Sequence, residues 1–265
     1  MRRFSEEYLS HTRRGLWDDR EALGPVLSGP PDRILDVGAG TGEFTTILRE
    51  ESDATVVALD GDRTLLQAGD LPTAIQGDAL RLPFTDDSFD LVVCQALLVN
   101  LPDPGAALEE FKRVATDRVA AVEPDNGAVT VESTVEAEAA LAERARSYYG
   151  EGLATDANFG GNLEATLRSV GLTGVSVMRM DHERVVEPPY EASAIESARR
   201  KITASRLDEQ RATMIAGGLT DREYGRLRDD WQSMGRSVAA QIREGTYRRR
   251  EVVPFYIGVG RVPGD

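Results

Sequence analysis

The stretch from Ile34 to Leu48 constrains this chain more than any other. It reads I-L-D-V-G-A-G-T-G-E-F-T-T-I-L. Ile34, Leu35 and Val37 form an apolar run that predicts a strand. Phe44, Ile47 and Leu48 recur at helical spacing. Between them lie Gly38, Gly40 and Gly42, with no Cβ atoms where the backbone turns tightly and approaches a partner closely. The helix start offers free N–H groups. A strand, a glycine turn and a helix open a nucleotide-binding α/β fold.

The spacing of the glycines narrows the ligand. A dinucleotide site uses G-x-G-x-x-G, with pyrophosphate on the helix N-terminus. Here the order is G-x-G-x-G and position 43 is Glu. Glu43 suits the helix dipole but repels a phosphate placed there. Asp36, Asp60 and Asp78 are expected near the same end of the sheet. So much negative charge fits a cationic ligand without phosphates better than NAD. S-adenosylmethionine, with a sulfonium and an ammonium group, is such a ligand.

Asp36-Val37-Gly38-Ala39-Gly40-Thr41-Gly42 resembles the first motif of class I S-adenosylmethionine-dependent methyltransferases. The likeness continues through Ala58-Leu59-Asp60, Gly77-Asp78-Ala79, Leu82-Pro83-Phe84 and Ser88-Phe89-Asp90-Leu91-Val92-Val93. Order and spacing are similar to the ubiquinone/menaquinone-type branch of small-molecule enzymes, over roughly residues 30 to 125. The resemblance implies a Rossmann-like α/β sheet of seven mostly parallel strands in the order 3-2-1-4-5-7-6, the seventh antiparallel, with helices on both faces. It implies transfer of a methyl group to a small molecule, with a non-enzymatic regulator on the same fold as the alternative.

Binding residues follow position by position. The loop Gly38, Ala39, Gly40, Thr41, Gly42, with Asp36 before it, is expected to hold the cofactor. Asp60, with Gly61, ends the second strand, where a carboxylate accepts both ribose hydroxyls; the plainer role is a turn former. By resemblance Asp78 accepts from the adenine amino group, with Ala79 and Leu80 beside the ring. Gln95 ends the fourth strand at the switch point and is expected to face the methionine part. No catalytic residue stands out. His11 is a weak candidate base; His182, Tyr148 and Tyr149 qualify by type alone. Glu123 or Asp125 either orients substrate or is a solvated carboxylate. Cys94 reads as a small buried hydrophobe.

The expected strands are 33–37, 55–59, 73–76, 89–94, 118–122, 173–184 and 251–262. A helix over 4–23, ending before Gly24-Pro25 and Gly29-Pro30-Pro31, is either a lid on the cofactor (1–29) or simple packing through Tyr8 and Trp17. Ser133 and Glu136 suggest a capping box opening a helix to Tyr149. Residues 188–250 form a helical insertion, one stretch over 192–216 and a second opened by Thr220 and Glu223. In the second, Tyr224, Leu227, Trp231, Met234, Val238 and Ile242 form an apolar stripe. Strand direction would bring this insertion to the cofactor face of a single domain, as a substrate cap; a dimer surface is the other use of such a stripe.

Composition sets the setting. The formal net charge is −14, which disfavours nucleic acid and anionic membranes. Of 31 basic residues only Lys112 and Lys201 are lysines. Abundant acid with little Lys suits a high-salt, halophilic cytoplasm, where the Debye length falls to roughly 3 Å at 1 M. There is no run of eighteen apolar residues, no signal-like N-terminus and no zinc spacing, and one cysteine excludes an internal disulfide. A cytoplasmic enzyme with a small-molecule partner, without metal, is expected.

Overall fold

A computed structural model describes residues 12–69 and 71–264. The chain divides into two compact units. A sheet unit takes the described residues up to Asp125, then Asn158–Met180 and Phe255 onward. A helical unit takes Asn126–Ala157 and Asp181–Pro254.

In the sheet unit the first half is built as β1 (Arg33–Val37), α1 (Glu43–Glu50), β2 (Thr55–Asp60), α2 (Arg63–Ala68), β3 (Ala74–Gln76), β4 (Phe89–Gln95), α3 (Pro104–Val114) and β5 (Ala115–Pro124). Strands β1 to β5 run parallel in the order β3-β2-β1-β4-β5. Ile34, Leu35 and Val37 on β1, and Leu91, Val92 and Val93 on β4, are fully buried. Both faces of these strands are covered, which is why they read as continuous apolar runs rather than alternating ones. Helix α5 (Phe159–Ser169) buries Leu163 and Leu167 in the same core as Phe89 and Phe111. Gly171, at φ +83°, follows its end.

Two long strands complete the architecture, β7 (Thr173–Val186) and β8 (Arg249–Arg261), which pair with each other. From Phe255 to Arg261, β8 runs antiparallel to β5. The expected order 3-2-1-4-5-7-6 is therefore present, with β8 in the role of the seventh strand and β7 in that of the sixth. One strand was not foreseen. Residues Thr130–Ser133 form β6, antiparallel to the start of β8, so the sheet has eight strands. Its pattern of exposed and half-buried residues carries no apolar run to announce it.

In the helical unit, α4 (Ala137–Glu151) begins without a side-chain cap. The expected capping box at Ser133 is replaced by another contact: Ser133 Oγ donates to Glu138 Oε2 at 2.6 Å. The stretch 192–216 is two helices, α6 (Ala192–Thr203) and α7 (Ser205–Ala216), broken at Ala204 with φ +56°. The Thr220–Glu223 capping box opens α8 (Asp221–Glu244) as expected, and Gly245 closes it at φ +71°. The apolar stripe of α8 is consumed inside this unit. Tyr224 and Leu227 join a core with Leu207 and Met214, and Met234 and Val238 join one with Val135 and Tyr247. Among the described residues, no helix is long and apolar enough to cross a membrane.

Candidate cofactor site

The loop after β1 is set by backbone geometry. Gly38, Gly40 and Gly42 have φ of +76°, +60° and +85°, which side chains with a Cβ rarely adopt. Space is a second constraint. A Cβ on Gly42 would lie 2.3 Å from Leu71, and one on Gly38 2.9 Å from Leu97. The Gly38 and Ala39 N–H groups both donate to the Leu59 carbonyl, at 2.7 and 3.0 Å. The loop is thus bent back onto β2.

Asp60 ties that arrangement together. Its Oδ2 accepts from Gly40 N at 2.8 Å and its Oδ1 from Asp62 N at 2.7 Å. Each carboxylate oxygen has two lone pairs, so each retains one for a further donor. Gly61 follows Asp60. The Gly77 N–H donates to the Asp60 carbonyl at 3.0 Å, bringing Asp78 alongside. Asp78 Oδ1 accepts from Leu80 N at 2.9 Å; its other oxygen has no bond among the described residues. Ala79 is buried, whereas Leu80 is 36% exposed.

Asp36 is buried and accepts the Thr45 hydroxyl at 2.6 Å. Burial pushes its carboxyl up to about 6, against the opposing pull of Thr45 and Arg13. Glu43 accepts the Thr41 hydroxyl at 2.8 Å and pairs with Arg13 at 3.6 Å. A carboxylate therefore stands at the N-terminus of α1, where a dinucleotide's phosphate would need to sit. Gln95 is buried at the end of β4, and its Oε1 accepts the Trp17 indole N–H at 2.7 Å. The structure brings Asp36, the glycine loop, Asp60, Asp78 and Gln95 to the carboxyl ends of adjacent parallel strands.

Other candidates fare differently. His11 lies outside the described residues. His182 is buried on β7 within the helical unit, and Tyr148 and Tyr149 pack against a core there. Glu123 is a structural acceptor. Its two oxygens take the N–H groups of Leu97, Leu98 and Val99 at 3.0, 2.8 and 3.1 Å. Burial nonetheless raises its carboxyl to about 7. Cys94 is buried, its thiol raised by burial and by Glu123, so no thiolate nucleophile is available. No described group of His, Cys, Asp and Glu is arranged to hold a metal.

Two supporting residues carried no sequence signal. Leu71 fills the space over Gly42. Arg113 donates to the carbonyls of Leu82 and Phe84 at 3.1 and 2.9 Å and pairs with Glu110 and Asp86. It fixes the Leu82-Pro83-Phe84 segment from a helix some thirty positions downstream, which only the folded chain reveals.

This combination of sheet order, glycine turn and acidic strand ends defines a class I methyltransferase fold. Residues 35–121 match the family model described as a methyltransferase domain. Over 98 residues the chain is 44% identical to the demethylmenaquinone methyltransferase of Mycobacterium sp. (strain KMS), covering 36% of this chain and 42% of that protein. The chain thus matches less than half the length of this curated relative. A provisionally assigned methyltransferase from Bacillus halodurans superposes with a TM-score of 0.51 at 17% identity, over 93% of this chain and 100% of that one. Another, from an antibiotic biosynthesis pathway of Anabaena variabilis, gives 0.52 at 16%, over 89% and 96%. Residues 35–121 thus resemble a methyltransferase domain, the sequence is similar over 98 residues to the menaquinone-type branch, and the fold is shared with both of these solved structures.

Proposed function

We propose that the protein transfers a methyl group from S-adenosylmethionine to a small-molecule acceptor. The observation that carries this reading is Asp60: it anchors the glycine loop through Gly40 and keeps one lone pair on each oxygen for the two ribose hydroxyls. The surroundings fit the cofactor's charge. Asp36, Glu43, Asp60 and Asp78 stand around the loop, Arg13 beside them is already paired with Glu43, and a sulfonium with an ammonium group complements the surplus negative charge.

In this reading Gly38, Ala39, Gly40, Thr41 and Gly42 cradle the amino-acid part, with Asp36 supplying negative charge behind them. Asp60 and Gly61 hold the ribose. The uncommitted oxygen of Asp78 takes the adenine amino group, and Ala79 and the exposed Leu80 cover the ring. Gln95 faces the methionine part. The bound cofactor supplies the electrophilic methyl group; the chain's own work is position and exclusion of water. An acceptor that is already nucleophilic needs no dedicated base, and no described residue is assigned as one. The sequence relatives are named demethylmenaquinone methyltransferases, so the acceptor class to test first is a compound of that kind, offered as its nucleophilic quinol. We assign the helical unit as the acceptor-binding part, on the ground that it is inserted into the chain after β5 and again between β7 and β8. A cytoplasmic, high-salt setting is inferred from the scarcity of Lys and the acidic surplus.

Calorimetric titration with S-adenosylmethionine, S-adenosylhomocysteine and NAD tests the cofactor. Binding of both sulfur compounds and not of NAD is expected, and Asp60→Ala should weaken both by at least about tenfold, the loss of one charged hydrogen bond. Unchanged affinity in that variant refutes the ribose role. Turnover of a quinol separates an enzyme from a cofactor-binding regulator. A urea midpoint that does not rise with KCl counts against the high-salt setting.

A further inference from the structure

Trp17 lies far from β4 in sequence, yet its Nε1 donates to Gln95 Oε1 at 2.7 Å, 78 positions away. The contact is built rather than incidental. The indole lies flat on Phe44, with ring centroids 5.0 Å apart and 11° between planes. Trp17 is 6% exposed and Gln95 3%.

An indole N–H donates and never accepts. The amide atom facing it must therefore be the oxygen, and the orientation of Gln95 is fixed by chemistry. With Oε1 committed, the amide presents only its Nε2 donors to whatever lies on its other side. That nitrogen makes no hydrogen bond among the described residues. Gln95 lines a cleft of about 130 Å³ together with Arg13, Arg20, Trp17 and Glu43. The guanidinium of Arg13 is held there, 3.6 Å from Glu43. Asp18 also lines this cleft and Arg13 is already paired with Glu43, so what the Gln95 amide offers to an acceptor group is its unbonded Nε2. A reversed amide would turn its oxygen to the same place and repel one.

We infer that Trp17 is a positioning residue for the cofactor's amino-acid tail: by occupying the oxygen of Gln95, it turns the amide nitrogen toward the tail carboxylate. This rests on the cofactor reading above. It adds a specificity device, since a nucleoside without the tail gains nothing from the pair.

The test is calorimetry on the full chain with two nucleosides, S-adenosylhomocysteine and 5′-methylthioadenosine, which lacks the amino-acid tail. Trp17→Phe keeps the ring on Phe44 and removes only the N–H. It should weaken S-adenosylhomocysteine about tenfold or more and leave 5′-methylthioadenosine within about twofold. Gln95→Met, close in volume, and Gln95→Glu, which sets a carboxylate against a carboxylate, should show the same tail-selective loss, larger for Glu. Equal loss for both nucleosides, or no loss for either, overturns the positioning role, because a merely structural Trp17 would not distinguish them. Wild-type protein that binds neither nucleoside overturns the cofactor reading itself, and this inference with it. Thermal melts of each variant, and the Gln95 pair, keep the outcome readable should Trp17→Phe unfold.

Discussion

The two units bury carboxylates in opposite ways. In the sheet unit, Asp36 and Glu123 are buried among neutral donors: one hydroxyl for Asp36, three backbone N–H groups for Glu123. Burial prevails, and their carboxyls rise to about 6 and about 7. In the helical unit, Glu138 is equally buried but lies among cations. Lys201 Nζ bonds its Oε1, Arg249 Nε lies 3.3 Å away, and Tyr247 Oη reaches both oxygens at 3.1 and 2.9 Å. Burial alone would push Glu138 up; Lys201, Ser133 and Arg249 outweigh it and hold the carboxyl below its ordinary value. A buried acid among dipoles stays close to titration, whereas one among full charges is locked ionised. The first kind stands beside the candidate cofactor loop. The second cross-links α4, α6 and the start of β8.

The locked acid should break hardest. Lys201→Met removes the ammonium and leaves Glu138 with too little positive charge around it. Loss of one partner of a buried pair costs about 3–5 kcal/mol, measurable as a fall in the urea midpoint at pH 7. Adding Glu138→Gln should recover part of that loss. A cost below about 1 kcal/mol would mean that water reaches the pair and that the contrast between the units is false.

Glu123→Gln probes the other kind. The amide keeps one acceptor oxygen but aims an NH2 group at backbone donors around the Leu98–Asn100 turn. With the amide oxygen kept on the Leu97 and Leu98 N–H groups, the Val99 N–H and the new NH2 face each other unmatched, and about 3 kcal/mol should be lost. Cofactor affinity should fall less than stability, since Glu123 acts on the backbone and touches no proposed ligand position. A fall in affinity without a fall in stability would assign Glu123 to the site instead.

Asp36 gives the comparison a pH axis. Its folded value of about 6 lies above the ordinary 3.8, so the folded state holds the proton more tightly. Its contribution is complete below about pH 4 and is lost as pH rises through 6. The gap corresponds to roughly 2–3 kcal/mol. Stability of the wild type should fall over that window, and Asp36→Asn should remove that part of the fall. Glu138, depressed by its cations, has the opposite sign: its contribution is present above its ordinary value and lost in acid. A variant that leaves the pH 4–6 slope untouched would show that Asp36 is already solvated.

The sheet unit was largely legible because its signals are local. β1 falls at the expected residues 33–37, and Asp60 and Gln95 were placed from strand ends alone. The helical unit was legible only where a cap announces itself, as at Thr220 and Gly245. Ser133 was misread because a capping box and an approach to Glu138 look alike over so few residues. Ala204 carries no residue type suited to its positive φ, and its burial in a core of α7 and α8 residues explains why no glycine stands there. The Glu138 network was invisible, since Lys201 and Tyr247 are 63 and 109 positions from it. The fit of Leu71 to Gly42 and the bond from Trp17 to Gln95 belong to the same class of information, contacts that exist only after folding.

The smallest effect sharpens the contrast most. Arg248 sits between Tyr247 and Arg249 in sequence, but its guanidinium faces outward to Glu187 at 3.3 Å, with both side chains about 60% exposed. The pair has the same chemistry as the Lys201–Glu138 contact and differs in exposure to water. Exposed pairs contribute about 0–1 kcal/mol and are screened by salt. Arg248→Ala should therefore shift the urea midpoint barely at low salt and not at all in 1 M KCl, whereas the Lys201→Met loss should persist there. If salt erased both losses alike, the charges around Glu138 would be acting through solvent, and burial would not be what separates them.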